Sequence, residues 1–274
     1  MQELPLVFFT VLTQMVAGSF ILLTVLKLCS PALVNLTPHT LTKILIYFWC
    51  ILTAAGIASI AHVGQPFRII NVIAGIVHFS PMSLEIISVA IFGALGVLVT
   101  FVQWRTDKIF LPLMVLIAVV AFCLLFAIAH VYQLPGVSLW NTPWTVVNFV
   151  FSGFLSGAVL IGLLLRCFTS VELISNLWLK FIWMSILFLV FTLNTGYFLD
   201  LNNQTQKLAV ELPQWLIVIQ VIRVALICGA LLVCINSDRK VITFKSMFIA
   251  TIAIVIAELL GRIFFYELLF LAQL

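Results

Sequence analysis

The sequence predicts an all-α integral membrane protein, a bundle of eight transmembrane helices with both termini on the outward face. Three observations lead there. Of the 274 residues, 64% are hydrophobic and only 8% charged, with a mean hydropathy of +1.30. Apolar stretches of about 20 residues, the length needed to cross a bilayer core, recur along the chain. Lysine and arginine crowd into alternate loops, which fixes an orientation. Such a chain leaves no room for a sizeable extramembrane domain, so residues 1–274 read as a single polytopic membrane domain.

The spans fall near residues 5–29, 41–61, 84–103, 110–132, 145–167, 176–198, 214–235 and 245–271. The first begins in MQELPLVFF, which carries Glu3 but no early Lys or Arg; it lacks the basic leader of a cleaved signal peptide and is read as a retained span. The third opens beside Glu85. The fifth carries Ser152, Gly153, Ser156 and Gly157, a small-residue face suited to close helix contact, with a weak echo at Gln14 and Gly18 in the first. Spans one and five run in the same direction, so a parallel duplication of two four-helix units is an open reading. Pro5, Pro31, Pro38, Pro66, Pro81, Pro112, Pro135, Pro143 and Pro213 all fall in loops or at the first turn of a span, leaving helix interiors unbroken.

The face carrying the termini is here called B and the other A. Face A receives Lys27, Lys43, Arg105, Lys108, Arg166, Lys180, Arg239, Lys240 and Lys245, whereas the B loops hold only Arg68 and Lys207. By the positive-inside rule face A is cytoplasmic, and B faces the periplasm of a bacterial inner membrane. The net charge of +4 comes from scattered loop residues, so there is no basic face for nucleic acid. The six cysteines form no CxxC or CxxCH motif and no ferredoxin-type run; no iron–sulfur cluster or covalent haem is expected, and packing is the reading for each cysteine.

Three ionisable residues lie inside spans, where an arginine at a helix centre costs about 2.5–3.5 kcal/mol on the insertion scale. They are Arg223, Glu258 and Arg262. Glu258, Arg262 and Tyr266 share one helical stripe at intervals of four, so a local Glu258–Arg262 ion pair is expected, either as interhelical glue or as part of a site. Arg223 has no partner within its own helix; it can snorkel toward B, bond backbone carbonyls or point into a cavity. Glu85, His130, Asn141, Asn148, Asn194 and Asp200 also gather toward B. The segment His62–Asn71, HVGQPFRIIN, adds a histidine, Gln65, a proline and Arg68 at the same edge. A haem would need facing histidines at matched depth; His39 and His78 read as loop residues, leaving only His62 and His130, both at span ends. Taken alone, His62 could equally cap its helix.

These segments resemble the membrane-anchor subunit of anaerobic dimethyl sulfoxide reductase, the DmsC type. The resemblance runs the length of the sequence through LPLVFFTVLTQMVAGSF from Leu4, HVGQPFRIIN from His62, SPMSLEI from Ser80, WNTPW from Trp140 and AELLGRIFFY from Ala257. It implies eight spans with outward-facing termini and a subunit that oxidises menaquinol as bound substrate. Electrons would pass to an iron–sulfur subunit and then to a molybdopterin catalytic subunit, with no haem, iron–sulfur cluster or molybdenum in the anchor itself. It associates quinol binding with His62 and Glu85, and matches Arg68 to the segment's arginine. The sequence departs from the pattern where Val72 replaces a usual serine and over the apolar stretch Ala74 to Val77, which bears on partner docking.

Quinol oxidation removes two electrons and two protons, so the site needs an acceptor that titrates near neutral pH and a route to water. On this reading His62 accepts a hydrogen bond and then a proton, and Glu85 relays it outward. Arg68 stabilises anionic character or docks the iron–sulfur subunit. Gln65, Arg223, Glu258, Arg262 and Tyr266 are the further quinol-binding or charge-stabilising candidates, and the quinol tail meets the Phe- and Leu-rich lipid-facing wall. The competing class is a small-solute or ion transporter using Arg223, Glu258 and Arg262, against which unbroken helices argue.

Overall fold

The computed structural model describes residues 4–30, 33, 36–63, 78, 80–169, 177–236 and 244–271, with the backbone alone at 4, 61–63, 177 and 270. Among these residues every expected span is a continuous α-helix, and there is no strand. In chain order they are α1 (Leu4–Cys29), α2 (Pro38–Val63), α3 (Pro81–Thr106), α4 (Leu111–Val131), α5 (Pro143–Phe168), α6 (Leu177–Leu208), α7 (Gln214–Ile235) and α8 (Phe244–Leu271). Each is long and apolar enough to cross a membrane. Proline starts helices here rather than breaking them. It occupies the first turn of α3, α4 and α5, where the missing N–H would have had no intrahelical partner, and Pro213 precedes α7.

At the centre, α1 lies against α5, and small residues set how closely. A Cβ on Gly18 would land on the backbone carbonyl of Gly153, and one on Gly157 would strike the backbone of Gly18 and Ser19. The two main chains are therefore in direct contact, with Ser19 Oγ 3.3 Å from the Gly157 carbonyl. The face read from Ser152, Gly153, Ser156 and Gly157 meets Gln14 and Gly18 themselves, so the echo between the spans is a pair of mating surfaces.

The remaining helices surround this pair. In the first half α1 touches α2, α2 touches α3, α3 touches α4, and α4 returns to α1; in the second half α5, α6, α7 and α8 close the same circuit. The α1–α8 and α4–α5 contacts join the halves beside the α1–α5 crossing. Large apolar side chains on the outer helices, such as Phe181, Phe188 and Ile249, point outward, as a bundle solvated by lipid requires.

Three expectations need correction. His39 is not in a loop but in the first turn of α2, because helix begins at Pro38. The cysteines are not uniformly core: Cys29, Cys50, Cys123 and Cys167 face outward, Cys228 is half-buried, and only Cys234 is buried. Outward thiols cost little where the surroundings are lipid. The sixth helix does not stop near residue 198 but runs to Leu208. Its polar end, LDLNNQTQKL, contains no breaker and is tied by Gln204 Nε2 donating to Asp200 Oδ2 at 2.7 Å. Ala209, at φ 52°, ends it: Ala209 N–H bonds to the Gln206 carbonyl and Val210 N–H to that of Thr205, the pattern of a Schellman cap.

Candidate functional site

The intramembrane charges converge between α1, α5, α7 and α8. Glu258 does not pair with Arg262 along its own helix. Its Oε1 lies 3.4 Å from Nη2 of Arg223 on α7, and its Oε2 accepts a short bond from Ser152 Oγ on α5. Arg262 instead donates through Nη2 to Gln14 Oε1 on α1, and its guanidinium lies 3.5 Å above the centre of the Phe149 ring. The expected local ion pair is thus replaced by bonds between helices. The reason is positional: α5 and α7 present donors to the acid, while α1 presents an acceptor and α5 a ring face to the base, so the two take separate partners.

Arg223 takes the third of its open options and points into the bundle. It also has a partner within its own helix, contrary to expectation: Gln220 Oε1 accepts from its Nη1 at 3.4 Å, one turn away. Gly261 makes room for it. A Cβ there would sit 2.7 Å from Arg223 Nε, so the guanidinium crosses α8 over the glycine of the AELLGRIFFY segment. With both arginines charged and Glu258 ionised, the trio carries a net charge of +1. Around it lies a cavity of about 30 Å³, lined among others by Asn148, Tyr197, Gln220, Arg223, Glu258 and Arg262. That is room for a water. The Nε atoms of both arginines and the Nε2 atoms of Gln14 and Gln220 are buried without a hydrogen-bond partner among the described residues.

From Arg262 the stripe continues toward B through aromatic residues. Tyr266 Oη donates to Tyr132 Oη at 2.7 Å. Tyr132, just past the end of α4, is buried and packs edge-on to Trp140, Phe265 and Tyr266. Trp140, the first residue of WNTPW, stacks on Phe265 at 4.6 Å and donates Nε1–H to the Phe265 carbonyl at 2.8 Å. These contacts fasten the connection before α5 to the end of α8. Glu85, in the second turn of α3, is buried, its Oε1 has no hydrogen-bond partner among the described residues, and its charge acts on the Tyr132 phenol. Arg262 acts on the same phenol.

A polar string therefore leads from Tyr132, bonded to Tyr266, along α8 to Arg262 and Glu258, which Arg223 meets from α7, within one apolar bundle, with Glu85 within electrostatic reach of its Tyr132 end. From Tyr266 to Glu258 it reaches inward by about 12 Å of helix rise. Among the predicted site residues, Arg223, Glu258, Arg262 and Tyr266 are brought into this string, and Glu85 to its Tyr132 end. His62 lies in the last turn of α2, but its side chain is outside the described residues, as are Gln65, Arg68, Val72 and the stretch 74–77. Of the other polar residues gathered toward B, only Asn148 lines the cavity; His130 and Asn141 are exposed, Asn194 Nδ2 bonds to the Val190 carbonyl, and Asp200 accepts from Gln204. Tyr132 and Gln220 are the members that sequence reasoning missed. Gln220 was findable, three residues before Arg223 on the same helical face.

Fold and site together define a multi-pass helical membrane protein with an ionic and aromatic string buried between its helices. The family of the DMSO reductase anchor subunit (DmsC) matches residues 1–268, and the protein belongs to that family. It is 27% identical over 279 aligned positions to the YnfH subunit of anaerobic dimethyl sulfoxide reductase from Escherichia coli K12, covering 97% of this sequence and 94% of that protein. It is 29% identical to the C subunit of anaerobic dimethyl sulfoxide reductase from the same organism, over 62% of this sequence and 60% of that one. The C subunit of the Haemophilus influenzae anaerobic dimethyl sulfoxide reductase is 30% identical over 58% of this sequence and 57% of its own length.

Proposed function

We propose that this protein is the quinol-oxidising anchor of a molybdoenzyme complex in a bacterial inner membrane. It takes electrons from menaquinol at its B face, passes them to an iron–sulfur subunit, and holds that subunit and a molybdopterin catalytic subunit at the membrane. Membership of the DmsC family is the observation that carries this reading. Buried Glu85, whose Oε1 has no hydrogen-bond partner among the described residues and which lies within electrostatic reach of Tyr132, supports the position of the site.

The chemistry follows from the residues. Each quinol hydroxyl must lose a proton as the ring loses two electrons, which leave to the iron–sulfur subunit. His62, at the end of α2, takes the two protons one after the other, passing the first to Glu85 before accepting the second, and Glu85 releases each to water at B. Tyr132 and Tyr266 offer hydroxyls to the carboxylate and the substrate. Behind them the net positive trio of Arg223, Glu258 and Arg262 favours the anionic form of the quinol, because fixed charges in a dry bundle act with little screening. Arg68 and Gln65 complete the outer wall, with Arg68 either stabilising the anion or docking the iron–sulfur subunit.

The Lys- and Arg-rich face A is cytoplasmic in this reading, with both termini periplasmic. The matching circuits of α1–α4 and α5–α8 favour two four-helix units descended from a parallel duplication. The transporter alternative gains nothing from eight unbroken helices, since midplane transport sites are commonly built from interrupted ones.

Replacing Glu85 with Gln or His62 with Gln tests the reading in the intact complex, with menaquinol-analogue oxidation as the readout. Turnover is expected to fall by about 100-fold or more in each, with the soluble subunits still retained at the membrane. Unchanged quinol oxidation in both variants would sink the assignment. Purification without any iron–sulfur or molybdenum partner would favour transport.

A further inference from the structure

A second feature lies between α2 and α3, in the half of α3 away from Glu85 and along most of α2. It is a groove of about 660 Å³, walled by Ile46, Cys50 and Ala54 on α2 and by Val97, Phe101 and Trp104 on α3. Its floor is built: Trp49 Nε1 donates to Thr100 Oγ1 at 2.8 Å, Thr100 Oγ1 donates to the Gly96 carbonyl at 2.8 Å, and the Trp49 ring lies over Gly96, where a Cβ would collide with it. Thr100 stands fifteen residues beyond Glu85 on α3, about 22 Å along the helix axis. On α2 the groove runs from Thr42 to Ile57, about 22 Å of helix rise, so it opens at face A and reaches past the middle of the bilayer toward the end of α2 that carries His62. Its walls are apolar, but the residues beside its mouth are not. Lys43 and Arg105 do not line the groove but stand one position past its lining residues Thr42 and Trp104, at the depth of its A end, where long flexible side chains can reach round the helix; both are exposed, as is Lys108 in the connection to α4. Among the described residues Asp107 is the one acid beside them, leaving this rim positive. Trp104 and Phe101, exposed and 6.1 Å apart, form the kind of aromatic pair that sits at headgroup depth.

We propose that this groove is a binding site for one anionic phospholipid, with an acyl tail lying along Ile46, Ala54 and Val97 and the phosphate held by Lys43 and Arg105. An apolar slot with a locked floor accepts a tail without rearrangement, and the cations beside one end select the head. Basic pockets between transmembrane helices recognise anionic headgroups on this physical ground. A quinol would find the slot but no use for the charges, and a helix from a second copy would meet two like-charged rims.

The test is native mass spectrometry of the full-length protein, purified in mild detergent with the soluble subunits it retains. It is stripped of lipid and titrated with phosphatidylglycerol or with phosphatidylcholine of the same acyl length. The wild type is expected to hold one phosphatidylglycerol at least tenfold more tightly than phosphatidylcholine. Ala54→Trp, which fills the slot from its exposed side, is expected to abolish that binding. The double variant Lys43→Ala/Arg105→Ala, which alters only exposed side chains, is expected to remove the preference while leaving weak binding of both lipids. Equal affinity of the wild type for the two lipids would overturn the proposal. So would undiminished phosphatidylglycerol binding in Ala54→Trp, displacement of the lipid by a menaquinol analogue, or a dimer that Ala54→Trp dissolves.

Discussion

Glu258 is the residue on which the buried cluster balances, since among the described residues it is the only acid between Arg223 and Arg262. Removing one partner from a buried ionic group leaves the others uncompensated, which typically costs about 3–5 kcal/mol. Glu258→Gln is therefore expected to destabilise the bundle by about that amount, measured as a lowered midpoint of thermal unfolding in detergent. Arg223→Met combined with Glu258→Leu is expected to restore much of the loss, because it removes the pair together. A Glu258→Gln protein as stable as the wild type would show that the arginines are satisfied without it. At this scale the sequence was legible in kind but not in pairing. The four-residue spacing put Glu258, Arg262 and Tyr266 on one stripe, yet it could not show that Gln14 and Phe149 draw Arg262 one way while Ser152 and Arg223 draw Glu258 another. Side-chain partners supplied by other helices, 35 to 248 residues away, leave no local trace. Tyr132 was hidden for the same reason: its role comes from Tyr266 and Glu85, not from its neighbours in sequence.

Apart from the end of α6, the helices were legible to within about three residues at each end, because twenty-residue apolar runs punctuated by proline admit one reading in a membrane. What escaped was the polar extension of α6, where hydropathy falls but helix propensity does not. A helix of 32 residues is about 48 Å long, well beyond a hydrocarbon core of about 30 Å. Its terminating residue carries a testable cost. Ala209 adopts a left-handed conformation that a Cβ disfavours by about 1–2 kcal/mol and that glycine adopts freely. Ala209→Gly is expected to stabilise the end of α6 by about 1 kcal/mol, seen as slower amide exchange over residues 200–208. Faster exchange would mean that the methyl group contributes packing there which outweighs the strain.

For the molecule as a whole, the α1–α5 contact decides whether the halves can assemble. Gly18→Leu is expected to separate the two main chains and destabilise the protein by about 3 kcal/mol or more, read from the loss of folded protein in detergent, since the space is filled by backbone that cannot give way. Ordinary expression and unfolding of that variant would mean that the two circuits hold together without the crossing. The small faces were visible in the sequence, but only the fold shows them mated to each other. That mating has a mechanical consequence. Two main chains in contact along several residues form a keel about which neither circuit can rock without prising backbone from backbone. A protein built on such a keel moves little, which suits the proposed function: on that reading what must travel are electrons, protons and a slender lipid-soluble reductant, none of which asks the scaffold to open.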